Sequence, residues 1–332
     1  MHLLFLITPM NLRISILFLC LVLTSIQAQN FESIDQKVGL YPAQYISADQ
    51  LANQITKDFT NDIDRVRAIY TWLALNVSYD FKTLYSGEGQ INFSYSGEED
   101  LQRKLAAINT HIVNKTLRTK KAICEGYAQT FKKVTELMDI PCMLIGGFSK
   151  SGVSDIGSNP AVENHAWNAV KINRKWYLVD ATWGAGYTNG NRWVQQRDDF
   201  FFLANPDNFA LTHYPTEKEW LFTKKSITKK QFYESPIYDK SFFSNNLKLI
   251  SPLKGELYVK PNENIVFTME LIPKDVTLYY IFKGDKYSEK IEPTCINGEC
   301  TFKIPFAQNK NTELILFANK RTILQYKIRL KN

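Results

Sequence analysis

Ala122-Ile123-Cys124-Glu125-Gly126-Tyr127-Ala128 is a point where a loop gives way to a helix. Tyr127, Phe131, Val134, Leu137 and Met138 recur at helical spacing on one side, with Lys132, Lys133 and Glu136 on the other. Pro141 ends the pattern. A thiol in the first turn of a helix sits in the partial positive charge of its N-terminus, which favours the anion. Lys120 and Lys121 add to that field. Gly126 allows close approach of a substrate or a neighbouring chain.

Downstream, residues 143–148 read as a strand and residues 149–163 as a Ser/Gly/Asn-rich loop. Residues 166–172 and 175–181 read as a hairpin, flanked by His165 and carrying Asp180. Cys124, His165 and Asp180 supply a nucleophile, a general base and an acid that orients the base, the groups that acyl transfer through a thioester requires. The hairpin decides whether they can meet. A two-residue loop, Asn173-Arg174 or Ile172-Asn173, puts His165 and Asp180 on one face, whereas a three-residue loop puts them on opposite faces. Trp167 and Trp183 lie beside these residues, where they either shield the site from water or pack the core. The backbone N–H of Cys124 is a candidate oxyanion donor, with Gln90 as a side-chain candidate.

Upstream, Ser47-Ala48-Asp49-Gln50 is a capping box opening a helix to about Phe59. A second helix starts near Thr60 or Asn61 and runs to Val77, with Ile63, Val66, Ile69, Tyr70 and Leu73 as its buried stripe. Residues 81–98 read as a polar loop or lid and residues 98–109 as a third helix. Residues 192–220 hold further strand-like and loop segments, including Phe200-Phe201-Phe202.

The pattern changes near residue 240. Short alternating segments at 247–250, 265–271, 276–282, 300–304, 314–318 and 323–330 have the spacing of an immunoglobulin-like sandwich. Cys295 and Cys300 flank Asn297-Gly298, a strong hairpin signal, and face each other closely enough for a disulfide. Cys142 remains, and a Cys124–Cys142 bridge would abolish nucleophilicity.

Met10-Asn11-Leu12-Arg13, the apolar run from Ile14 to Leu23 and the small residues up to Ala28 read as a bacterial-type secretory signal peptide over residues 1–28. Cys20 follows Leu19 rather than small residues, against a lipid anchor. The division expected is therefore a leader, a core over 29–240 and a sandwich over 245–332. Loss of the leader takes Arg13 and lowers the net charge from +7 only to +6. The basic residues are scattered, without the stripe or aromatic interleaving of a nucleic-acid surface. No other stretch has the length and apolarity of a membrane span.

Several pieces together resemble the transglutaminase-like superfamily, and within it the kyphoscoliosis peptidase-like group. They are Arg65-Val66-Arg67-Ala68-Ile69-Tyr70-Thr71-Trp72 with Tyr79-Asp80, then Cys124-Glu125-Gly126-Tyr127, His165-Ala166-Trp167-Asn168 and Asp180-Ala181-Thr182-Trp183-Gly184. Phe201-Phe202-Leu203 and Thr212-His213-Tyr214-Pro215 match the tail of that group. The resemblance implies an α+β, papain-like core of helices on an antiparallel sheet, with Cys124 as nucleophile, His165 as base and Asp180 as orienting acid, and with no metal or cofactor. The expected activity is that of a secreted or periplasmic cysteine peptidase or amidase acting on protein or peptide amides. The alternatives are a protein-glutamine transamidase and an inactive protein-binding scaffold. The sandwich is expected to meet a protein or glycan partner.

Overall fold

The computed structural model describes residues 31–86, 93–190 and 192–331. The leader and Gln90 lie outside these residues. Helices α1 (Glu32–Gly39), α2 (Ala48–Asp58) and α3 (Asp62–Asn76) open the core. The Ser47 hydroxyl accepts from the Gln50 N–H, and the Gln50 side chain takes the N–H of Ile46, so the cap at α2 closes on the residue before the expected one. Helix α3 carries Val66, Ile69, Tyr70, Trp72 and Leu73, all buried. Its Arg67 is buried too, held by Asp35 through two bonds of 2.9 and 2.7 Å and by Asp199. That network ties α1 to the chain beyond the hairpin, and a buried guanidinium needs such pairing.

Two helices depart from the sequence reading. Residues 81–98 contain α4 (Phe81–Ser86), started by Asp80, whose carboxylate accepts from the N–H and hydroxyl of Thr83. Helix α5 (Glu98–Thr119) runs a further ten residues past Asn109. Its last turns are rich in Thr, Asn and β-branched residues of modest helix propensity, but Val113, Thr116 and Leu117 are buried in tertiary packing that overrides it.

Strands β1 (Ser78–Tyr79) and β2 (Lys121–Ala122) form a short parallel ladder just before helix α6 (Cys124–Glu136). The N–H of Ser78 bonds Lys120 and that of Asp80 bonds Ala122, each at 2.9 Å. The chain leaving α3 thus pins the start of α6.

The central sheet is built from β3 (Cys142–Ser149), β4 (His165–Ile172), β5 (Lys175–Val179) and β8 (His213–Pro215), all antiparallel in the order β5-β4-β3-β8. One face, with Val170 and Ile172, joins the helical core. Asn168 donates from this face to the carbonyl of Ala128 in α6. The other face, with Ile145, Trp167, Ala169 and Leu178, packs on Phe201 and Phe209. Between β5 and β8 the chain makes a small hairpin, β6 (Gly186–Asn189) and β7 (Arg192–Gln195).

The C-terminal part is an immunoglobulin-like sandwich. One sheet has β10 (Leu249–Ser251), β12 (Glu263–Glu270), β16 (Glu299–Phe306) and β15 (Thr294–Ile296). The other has β11 (Glu256–Val259), β18 (Arg321–Leu330), β17 (Thr312–Ala318), β13 (Leu278–Phe282) and β14 (Glu289–Ile291), with β9 (Ile237–Tyr238) added on β18. Phe267 packs edge-on against Tyr326 and Phe282 against Phe306, so the two inner faces share one core. Cys295 and Cys300 stand opposite each other in the register and are bridged.

The two cores are clamped together. The Lys150 ammonium donates to Ser235 and Pro236 at 2.6–3.1 Å, Lys327 reaches the Ile156 carbonyl, and Phe200 stacks on Phe243 at 4.5 Å.

Candidate active site

Cys124 is the first residue of α6, and Ile123 before it makes no side-chain cap. The amide groups of that first turn are left without a side-chain acceptor from the cap, a setting for negative charge. The Tyr127 hydroxyl bonds the Val77 carbonyl, fixing this turn against the end of α3. Gly126 has a packing reason. A Cβ there would lie 2.8 Å from Ala122 Cβ and 2.9 Å from Thr116 Oγ1, so the missing side chain admits the neighbouring chain. Of the two readings of this glycine, the neighbouring chain accounts for it. Lys121, expected to sit near the thiol, is exposed and lines a cleft of about 80 Å3 with His111, Lys115 and Glu125.

The hairpin loop is Asn173-Arg174, both with positive φ, and Ile172 pairs with Lys175. Asn168 pairs with Val179, so Asp180 falls opposite Trp167, two positions along from His165 on the same face. Its Oδ2 is 2.7 Å from His165 Nε2. The other carboxylate oxygen accepts the N–H groups of Thr182 and Trp183 at 2.8 and 3.0 Å. Asp180 is fully buried. Burial alone would raise its pKa, but His165 and His213 hold the carboxyl far below the usual range.

His165 lies near enough to Cys124 for the thiol to act on its proton affinity. Burial pulls its pKa down, yet Asp180 and Cys124 carry it up to about 10. Of the three residues singled out from the sequence, His165 and Asp180 are hydrogen-bonded, and Cys124 stands close enough to the ring to act on it. Cys142 does not join them: it pairs with Val170, five residues along β3 from the Gly147–His165 pair, roughly 16 Å at strand spacing. Both thiols are free, and burial pushes that of Cys142 up to about 12.

In the sequence His213 stands out only as part of a tail motif, and the structure brings it into the site. Its Nε2 is 3.0 Å from the same Oδ2 of Asp180. Strand β3 separates the two histidines, for Gly147 pairs with His165 and Ser149 with His213. The space a side chain at Gly147 would need is filled by the Trp167 ring, 2.6 Å from a Cβ built there. Trp167 is buried, with its ring centre 5.9 Å from that of His165. Trp183 is partly exposed, with its ring 5.6 Å away. His165, Asp180 and His213 are also the residues of metal-ligand type gathered within 4.8 Å among the described residues, but both ring nitrogens nearest the acid are already directed at its Oδ2.

Tyr79 is stacked on Trp193 of β7 at 5.6 Å. Burial raises the pKa of its hydroxyl, and Cys124 raises it further. Tyr79 enters the sequence reading only as part of a motif, and its pairing with Trp193 has no signal there, since a Trp in a short strand reads as ordinary core.

A family model of the transglutaminase-like superfamily matches residues 49–181. The kyphoscoliosis peptidase of Homo sapiens is 32% identical over 251 residues, 74% of this chain and 33% of that protein. The kyphoscoliosis peptidase of Mus musculus is 31% identical over 242 residues, 72% of this chain and 32% of its own. The Lim and transglutaminase domain protein ltd-1 of Caenorhabditis elegans is 25% identical over 269 residues, 75% of this chain and 34% of its own. The chain thus spans about a third of the length of these relatives. With a helix-borne cysteine meeting a histidine on an antiparallel sheet, residues 49–181 are a domain of the transglutaminase-like superfamily, of the kind carried by the kyphoscoliosis peptidase-like proteins.

Proposed function

We propose that the protein is a cysteine-dependent amide hydrolase that acts on protein or peptide substrates through a thioester. The observation that carries this reading is the buried His165–Asp180 pair, bonded at 2.7 Å, with the partly exposed Cys124 thiol close enough to raise the His165 pKa. The name peptidase borne by the mammalian relatives agrees with it. The leader pattern in residues 1–28 supports export as the setting.

In the proposed cycle the Cys124 sulfur, as thiolate, attacks the amide carbon and an S–C bond forms. The oxyanion lies toward the amide groups at the start of α6. The His165 cation then gives its proton to the leaving nitrogen, the C–N bond breaks, and a thioester remains. Neutral His165 next takes a proton from water, whose oxygen attacks the thioester, and the C–S bond breaks to release the acid. Asp180 supplies the orientation and the counter-charge for the cation.

The test compares wild type with Cys124→Ala on a peptide library read by mass spectrometry, with and without an added primary amine. New carboxyl termini or deamidated side chains that need Cys124 support hydrolysis. Amine incorporation in their place would make the protein a transamidase, and equal traces for the two proteins would leave a non-catalytic binder.

A further inference from the structure

The cycle above uses one imidazole and leaves a second, fully buried one without a part. His213 is 0% exposed. Its ring stacks on Phe209 at 4.0 Å and is enclosed by Trp183 at 4.7 Å and Trp167 at 5.2 Å. A space so lined would suit Phe or Leu, because a buried imidazole is costly unless its nitrogens are bonded. Both are: Nε2 meets Asp180 Oδ2 at 3.0 Å, and Nδ1 meets Thr212 Oγ1 at 2.7 Å.

This pattern fixes the ring's proton. Asp180 can only accept, so Nε2 carries a hydrogen; the single hydrogen of the Thr212 hydroxyl has two acceptors in reach, the Phe209 carbonyl at 3.0 Å and Nδ1 at 2.7 Å, and a neutral ring receives it at Nδ1. The titratable groups facing His213 are Asp180 and His165, whose ring centre is 5.2 Å away, with Cys124 beyond His165. The remaining neighbours are aromatic rings, the Thr212 hydroxyl and the Phe209 carbonyl. Burial, reinforced by the His165 cation, lowers the His213 pKa to about 4 against the pull of Asp180. One oxygen thus receives two imidazole N–H groups, one from a charged ring and one from a neutral ring.

Resting on the hydrolase reading, we propose that His213 is a positioning residue whose Nε2–H holds Asp180 Oδ2 on His165 and, by sharing that oxygen's charge, sets the proton affinity of His165. Acylation needs a protonated His165, and thioester hydrolysis needs it neutral. A second donor on Oδ2 weakens Asp180's grip on the His165 proton enough for the ring to cycle. Without it the His165 cation is held harder and water attack slows.

The test uses the full chain with His213→Phe, His213→Gln and Thr212→Val. Ring-15N NMR in the Cys124→Ala background follows His165 without the thiol. His213→Phe is expected to move its titration upward by about one pH unit, and Gln, whose amide N–H can reach Oδ2, to move it back. Thr212→Val is expected to mix the His213 tautomers. In the active protein, p-nitrophenyl acetate reports acylation as a burst and thioester hydrolysis as the steady rate. His213→Phe should slow the steady rate about tenfold at neutral pH, move its acid limb upward and spare the burst, with Gln recovering most of the loss. An unmoved His165 titration in His213→Phe, or Phe and Gln behaving alike, overturns the proposal and leaves packing as the role. The NMR arm needs no turnover, so absence of a Cys124-dependent burst would sink the hydrolase reading alone.

Discussion

Asp180 lies two positions along from His165 on the same face of a tight hairpin, and its Oδ2 meets His165 Nε2 at 2.7 Å. The carboxylate has no contact with solvent, and all four of its bonds come from N–H donors. Asp180→Asn would turn an amide N–H toward those donors. We expect a stability loss of about 3 kcal/mol, because buried donors are left unsatisfied, and a fall in turnover of two orders of magnitude or more. Urea unfolding and steady-state assay of the variant check both. Near-wild-type values would refute this account of the acid.

The site also sets a pH window for stability. His165 is raised from 6.5 to about 10, so its contribution is complete below pH 6.5 and is lost as pH climbs toward 10. His213 is lowered from 6.5 to about 4, so between those values the unfolded chain takes a proton that the folded site refuses, and stability falls as pH drops. The acid-side loss is about 3 kcal/mol for a ring so buried. Lys150, lowered by burial to about 7, works against the alkaline loss, since its penalty fades between pH 7 and 10.5. The two alkaline effects are of similar size and opposite sign, so melting temperature measured from pH 4 to 10 should climb to about pH 6.5 and then level off. The acid slope should flatten in His213→Gln, and in His165→Ala, where the Lys150 effect is left unopposed, the melting temperature should rise between pH 7 and 10; unchanged profiles would contradict the assignment.

Gly126→Ala places a methyl 2.8 Å from Ala122 Cβ and 2.9 Å from Thr116 Oγ1. The first turn of α6 must shift, and Cys124 with it. The expected cost is about 1–3 kcal/mol, together with a loss of activity larger than that of a remote variant of equal stability. Thermal unfolding and the p-nitrophenyl acetate burst measure the two effects, and full activity would show that the turn tolerates the methyl in place.

Reduction of the Cys295–Cys300 bridge should lower the stability of the sandwich by about 2 kcal/mol, the loop being short, and leave turnover at Cys124 unchanged. Calorimetry with and without reductant shows whether it does. A collapse of activity on reduction would instead tie the sandwich to the chemistry.

Much of this architecture was readable wherever a local signal had a local cause. The hairpin of β15 and β16 followed from Asn297-Gly298, a pair suited to two positive φ angles. Asn319-Lys320 turns the chain between β17 and β18 with the same backbone and gave no such signal, because Lys is rarely placed there. The Asn173-Arg174 turn left two registers open, and only the pairing of Ile172 with Lys175 chose between them. The end of α5 was hidden because Lys120, not Gly, takes the left-handed position that closes the helix.

Cys124, His165 and Asp180 stood out because their residue types and order name a chemistry. His213 did not, since its role depends on β8 returning to the far edge of the sheet beside β3. That is a long-range fact with no periodicity or spacing to announce it. The stacking of Trp193 on Tyr79 is hidden for the same reason, because it joins β7 to a two-residue strand far earlier in the chain.

The central claim is that Cys124 is activated by His165, and peptide-resolved iodoacetamide labelling at pH 6 tests it most directly, with buried Cys142 as the internal reference. The account predicts that Cys124 alkylates at least tenfold faster in wild type than in His165→Ala, while Cys142 stays unlabelled in both. Equal Cys124 rates in the two proteins would contradict it.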